Sequence, residues 1–173
     1  MQTVDSGASS TSWFARGVWA VLVLLALGTL GLMWWWDTEP DHFDPVEVAR
    51  QRASLNNQRV VVGSATTAAL VRSAEVMLDK RGGYLSNDKF PPGVIMDNMP
   101  NWEFGVVTAS RDLTRALRNE FSRSQTQSVE DKDLQEAEPL FSSPNDRWLL
   151  PSSESQYRKA IERIESYADR LAD

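Results

Sequence analysis

The longest apolar stretch in the chain is Gly17–Trp36 (GVWAVLVLLALGTLGLMWWW), twenty residues without a charge. A helix of that length spans roughly 30 Å, the hydrocarbon thickness of one bilayer. Trp34, Trp35 and Trp36 close the run, and Trp13 and Trp19 lie at or near its other end. Indole rings favour both lipid–water boundaries. Asp37, Glu39, Asp41 and Asp44 follow at once, where a helix buried in hydrocarbon has to stop. The pattern predicts an uncleaved membrane anchor. A signal peptide fits less well, because the run is long, only Arg16 supplies a basic flank, and no small-x-small site precedes the acids.

Beyond the anchor the apolar positions fall at helical steps. Asp44-Pro45-Val46-Glu47 places Asp at N-cap, Pro at N1 and Glu at N3, which predicts a short helix to about Ala53, ended by Asn56-Asn57. Val60–Val62 is a brief strand or an extended connector. Ser64 or Thr66 caps a second helix to about Lys80, with Leu70, Val71, Ala74, Met77 and Leu78 on one face and Gly82-Gly83 as its stop. Tyr84–Pro100 reads as a loop, with Pro91-Pro92-Gly93 as a type II turn.

A third helix runs from about Asn101 to Arg123. Trp102, Val106, Ala109, Leu113, Ala116, Leu117 and Phe121 repeat along it, and only Glu120 interrupts them. Ser122–Ser128 is polar and of low complexity, and Glu130–Glu138 holds five acids, so both read as linker or solvated turn. Ser153 with Gln156 forms a capping box for the last helix, whose stripe is Tyr157, Ile161, Ile164, Ala168 and Leu171.

That stripe still runs where the chain stops. It predicts an apolar face lacking its full partner, with Tyr157, Ile161, Ile164 and Leu171 as candidate interaction residues. The expected fold is mainly α: one N-terminal transmembrane helix plus a small irregular helical bundle with long loops. Residues 1–12 form a disordered tail, 13–36 the anchor, 37–63 a juxtamembrane linker with a short helix, and 64–173 the soluble helical domain.

Charge narrows the partners. The net charge is −6, and Asp5 cancels Arg16, so the soluble part carries all of it. This disfavours nucleic acid and a flat position on anionic lipid. The mean hydropathy of −0.38 makes the remainder polar, so one span is expected. The absence of cysteine removes disulfides and thiolate sites. Arg16 and the α-amino group precede the span, and no base follows until Arg50. That bias keeps the N-terminus cytoplasmic and exports the domain.

Candidate chemistry is sparse. Asp88, Asp97 and Glu103, in and after the Tyr84–Pro100 loop, can be imagined around a cation or as an acid–base pair. Their spacing matches no EF-hand, and Asn and Asp at such positions are first of all turn formers. The single histidine, His42, is an exposed linker residue close to the bilayer, a poor place for a catalytic triad. Arg111, Arg115 and Arg118 share a helix face that reads as solvated and salt-bridged. Gly28 and Gly31 lack the four-residue spacing of small residues that pairs membrane helices.

The run GGYLSNDKFPPGVIMDNMPNWEFGVVTASRDLTRALRNEFSRSQTQS (Gly82–Ser128), followed by LPSSESQY (Leu150–Tyr157), resembles the bacterial family called domain of unknown function 2333. The resemblance covers roughly Val60 to the C-terminus, and MDNMPNWEFG (Met96–Gly105) is its most specific string. It implies a single-span membrane protein of bacteria and brings no known activity or catalytic residue. It also implies that members continue past the end of this chain, which is then a truncated member or an N-terminal portion.

The expectation is a non-enzymatic protein of the bacterial inner membrane, without cofactor or metal. Its periplasmic helical domain binds another protein or itself. The alternative is a periplasmic enzyme or ligand-binding domain built on residues 84–103.

Overall fold

Side-chain caps mark the starts of three of the helices, α2, α5 and α6. The computed structural model describes residues 8–121 and 130–172. Met1–Gly7 of the expected tail and the Ser122–Ser128 linker lie outside the described residues, as do the side chains of Glu120 and Phe121. Among the described residues there are six α-helices and no strand. Helix α1 is Ala8–Trp36, so residues 8–12, expected in the tail, already belong to it.

Helix α2 (Pro45–Leu55) begins as the sequence dictates. The Asp44 carboxylate accepts from the amides of Val46 (2.8 Å) and Glu47 (3.4 Å). Its end is tied to the last helix through Arg52–Glu165 (3.0 Å) and Asn56–Asp169 (3.3 Å). The segment expected as linker is therefore part of the packed body. Helix α3 (Ser64–Asp79) has Gly63 at its N-cap, not Ser64 or Thr66, and the Ser64 hydroxyl accepts from the Val61 amide instead (3.0 Å). Val60–Val62 forms no strand.

The proline-rich stretch departs from the expected type II turn. Pro92 has ψ −21°, and Gly93–Ile95 continue as a single 3₁₀ turn. Helix α4 (Asn98–Ala116) starts three residues early, because Pro100 sits in its first turn, where no intrahelical donor is needed. A π-helical extension, Leu117–Phe121, follows.

The acidic segment expected to be solvated is a core helix. Helix α5 (Lys132–Phe141) buries Leu134, Ala137 and Phe141 at three- and four-residue steps, and its acids face arginines of neighbouring helices. Glu138 pairs with Arg115 (2.7 Å) and Arg118 (2.6 Å), and Asp131 and Asp133 pair with Arg170. Burial would raise the Asp133 pKa, but hydrogen bonds from Ser166 and Arg170 outweigh it and pull it below the ordinary value. Helix α6 (Ser153–Ala172) is capped by Ser152, whose hydroxyl accepts from the Ser155 amide (3.3 Å). Ser153, the expected cap, is buried and bonds back to the backbone of Pro144 and Arg147.

Helices α3 to α6 run alternately up and down, with α3 against α4 and α6, and α5 between α4 and α6. One end of the bundle gathers residues 80–97 and 142–152, together with the C-terminus of α1. Trp36 packs on Gly82, and Asn98 donates to Asp37 (3.4 Å). The other end joins the tips of α2 and α6. The core lies between, with Met77, Phe141, Tyr157 and Ile164 fully buried.

This corrects the expectation of an unfinished interface on α6. Tyr157 and Ile164 are 0 % exposed, Ile161 is buried, and Leu171 packs against the core. Helices α3 and α5 of the same chain cover the stripe, so its run to the end of the sequence marks core. Ile164→Ala is expected to cost about 2–5 kcal/mol in denaturant unfolding, with no change of oligomeric state. Unaltered stability with altered sedimentation would return Ile164 to an interface.

Candidate functional site

The third helix was expected to bury Trp102, Val106, Ala109, Leu113 and Leu117. Leu117 is buried as expected, but the rest of the buried row is Met99, Glu103, Val107, Ser110 and Thr114, while Trp102, Val106 and Leu113 pack partly buried beside it. Three polar residues therefore occupy the centre of the helix's inner face. The Thr114 hydroxyl donates to the Ser110 carbonyl (2.7 Å), which settles that pair locally. Glu103 reaches out of the helix.

Glu103 is 0 % exposed and Lys80, directly after α3, is 2 % exposed at the side chain; the two form a buried ion pair. Lys80 Nζ also donates to the Gly83 carbonyl. Oε1 of Glu103 accepts from the Leu85 amide (2.8 Å), and Oε2 accepts from the Ser86 amide (2.8 Å) and hydroxyl (2.6 Å). The carboxylate thus receives four donors and keeps no lone pair for a substrate proton.

The local backbone makes this geometry possible. Gly82 (φ 81°) and Gly83 (φ 69°) turn the chain sharply after Lys80, in the left-handed region where a side chain would be strained. A Cβ at Gly82 would also stand 2.7 Å from the Trp36 indole. The turn then aims successive amides, Leu85 and Ser86, at one carboxylate.

A second set of contacts ties this loop to the α5–α6 connection. Tyr84 donates its hydroxyl to the Asn145 carbonyl (2.9 Å), and Asn87 and Lys89 donate to the carbonyls of Arg147 and Asp146 (3.3 and 3.2 Å). The Tyr84 ring meets Tyr157 edge-on at 5.7 Å, and Tyr157 stacks on Phe141 at 6.2 Å. Burial pushes the Tyr84 hydroxyl well above the ordinary tyrosine range and raises that of Tyr157 as well, so both act as neutral donors.

Of the three candidate carboxylates, the structure brings two together. Asp88 is half-buried, and its pKa is raised first by burial and then by the Glu103 charge, with Lys80 opposing. A Cβ at Gly93 would overlap the Asp88 side chain, so that glycine is required by close approach. Asp97 is exposed at the start of α4 and caps nothing with its side chain. Among the described residues no group of three or more His, Cys, Asp or Glu is placed to hold a metal ion. Val94 and Ile95 are exposed, so polar bonds to Glu103 hold the loop and their apolar packing does not. Lys80 and Ser86 were missed by spacing alone. The available signal was Glu103 itself, standing between Met99 and Val107 in an i, i+4, i+8 apolar row.

Arg115 and Arg118 pair with Glu138, and Arg111 with Asp112, giving the salt-bridged face expected of them. His42 is exposed. The polar clamp and the single long apolar helix are both contained in one family's sequence model. That family, DUF2333, is described as an uncharacterized protein conserved in bacteria, and the match runs over residues 8–173. The chain belongs to DUF2333. No curated protein and no solved structure matches it. The DUF2333 match takes in every helix described, α1 included, so the long apolar helix and the Glu103–Lys80 clamp lie within one family unit.

Two measurements check the clamp. Glu103→Ala strands the Lys80 ammonium and two backbone amides, and is expected to cost about 3–5 kcal/mol. Adding Lys80→Met should recover part of that loss by removing the stranded charge. Asp88→Asn tests the raised pKa. The folded state takes up the Asp88 proton first as pH falls, so ionised Asp88 works against folding at neutral pH. The variant should melt higher than the parent at neutral pH, and the gain should vanish once acid protonates Asp88 in both states. A loss at neutral pH, or a gain independent of pH, would contradict it.

Proposed function

We propose that the chain is a single-span protein anchored in the bacterial inner membrane, with its N-terminus cytoplasmic and its helical domain periplasmic. The domain works by binding another protein and not by catalysis. One observation carries the anchoring: the 24-residue apolar helix Trp13–Trp36 has none of its hydrophobic window covered by the rest of the chain. Leaving such a surface in water is unfavourable by roughly 25 cal/mol per Å², and lipid removes that cost.

The clamp supports the non-catalytic reading. Glu103, the best placed carboxylate, is enclosed and fully bonded, and Asp97 stands apart from it. A carboxylate so engaged fixes a loop. The interaction reading draws on the open groove between α2 and α3. Phe43, Val48, Leu55 and Val71 give it an apolar lining, and Arg52 and Glu75 stand among them. An amphipathic helix of a partner fits such a trough, apolar face down.

Three results test the reading together. The full chain should resist alkaline extraction from membranes. A reporter active only outside the cytoplasm, fused after Asp173, should be on; a silent reporter overturns the orientation. A photo-crosslinking residue at Leu55 should give one discrete adduct in cells, and one at Lys132 none. Equal adducts at both positions, or none at Leu55, would remove the groove from the proposal.

A further inference from the structure

Outside α1, eleven large apolar side chains are exposed among the described residues, and they are not scattered. Six lie in the two loops at the α1 end of the bundle: Phe90, Val94 and Ile95 in one, Trp148, Leu149 and Leu150 in the other. Val46 stands in the first turn of α2 and Phe104 in the second turn of α4, toward that same end. Only Leu55, Val60 and Val62 are at the far end. Phe90 is 75 % exposed and Leu150 91 %, values usual for a mobile polar tip and unusual for Phe and Leu.

These loops are held out on a rigid frame. Glu103 and Lys80 fix the root of the first loop, and the bonds from Tyr84, Asn87 and Lys89 join it to the second. The first loop leaves and returns beside the C-terminus of α1, where Gly82 meets Trp36 and Asn98 meets Asp37. An apolar rim next to a membrane helix's exit, continuous with the Trp34–Trp36 belt, matches a lipid–water interface.

We infer that the loops at this end dip into the bilayer interface beside the anchor, with Phe90, Val94, Ile95, Trp148, Leu149 and Leu150 as the inserted side chains. This rests on the anchored reading above. Charge does not drive the docking. With Lys80 spent on Glu103, the loops hold Arg81, Lys89 and Arg147 against Asp88, Asp97 and Asp146, an even balance. The connector from α1 adds only acids and His42. The surface recognised is therefore neutral lipid, through apolar insertion.

The test uses the full chain in phosphatidylcholine nanodiscs. The sequence has no cysteine, so one can be placed at Leu150, at Val62, or at Val23 within α1, and given an environment-sensitive fluorophore. Leu150 and Val62 are equally exposed (91 %) at opposite ends of the bundle, which makes them a matched pair. A nitroxide at a shallow acyl position should quench the Leu150→Cys probe and blue-shift its emission. Aqueous iodide alone should quench Val62→Cys, and a deep nitroxide should quench Val23→Cys. Phe90→Asp with Trp148→Asp should return the Leu150→Cys probe to water without loss of helix content. A probe at 150 that behaves like the one at 62, while the one at 23 is deep, overturns the inference and leaves the anchor standing. A probe at 23 open to iodide defeats both. Quenching at 150 only after phosphatidylglycerol is added would show attraction by charge, and would also overturn it.

Discussion

One buried ion pair sets the shape of the end of the bundle that lies beside α1. Lys80 and Glu103 are shut away from water, and neither is tolerable there alone. Desolvating a charge costs several kcal/mol, and the Coulomb gain repays it only with good geometry and further hydrogen bonds. Here the further bonds come from Gly83, Leu85 and Ser86, all in the loop that leaves α3. The pair is thus less a source of net stability than a device for choosing one conformation. It converts a glycine turn into a fixed platform and sets the second loop through Tyr84 and Asn87.

The remaining architecture follows from that choice. An up-and-down bundle places alternate connections at opposite ends, and the end that receives the clamp also receives α1. The far end is closed by ordinary means: Gln58 donates to the Asp169 carbonyl, and Arg52 and Asn56 reach the last helix. Among the described residues, eight of the eleven exposed large apolar side chains outside α1 gather toward the α1 end, six of them on the two joined loops. A mobile loop with Phe and Trp at its tip would fold back on the core; these cannot, because their backbone is pinned.

Much of the fold was legible because its signals are local. The long apolar helix, the Asp44-Pro45 start, the Gly82-Gly83 turn and the period of α6 each depend on residues within one or two turns. What was not legible depends on distant partners. Helix α5 looked solvated because five acids hide the Leu134, Ala137, Phe141 spacing, and only the arginines of α4 and α6 make those acids compatible with packing. The α6 stripe looked unpartnered because sequence cannot show that α3 and α5 cover it. Glu103 was noticed for its charge, yet its meaning came from Lys80, twenty-three residues earlier and unmarked by any motif.

The most direct measurement of the clamp is amide hydrogen exchange in the unaltered chain, held in nanodiscs. If Glu103 organises the loop, the Leu85 and Ser86 amides exchange as slowly as those of the α3 core, though they lie outside any helix. Exchange as fast as at Phe90 would mean that the carboxylate does not hold the loop, and the rigid platform would go with it.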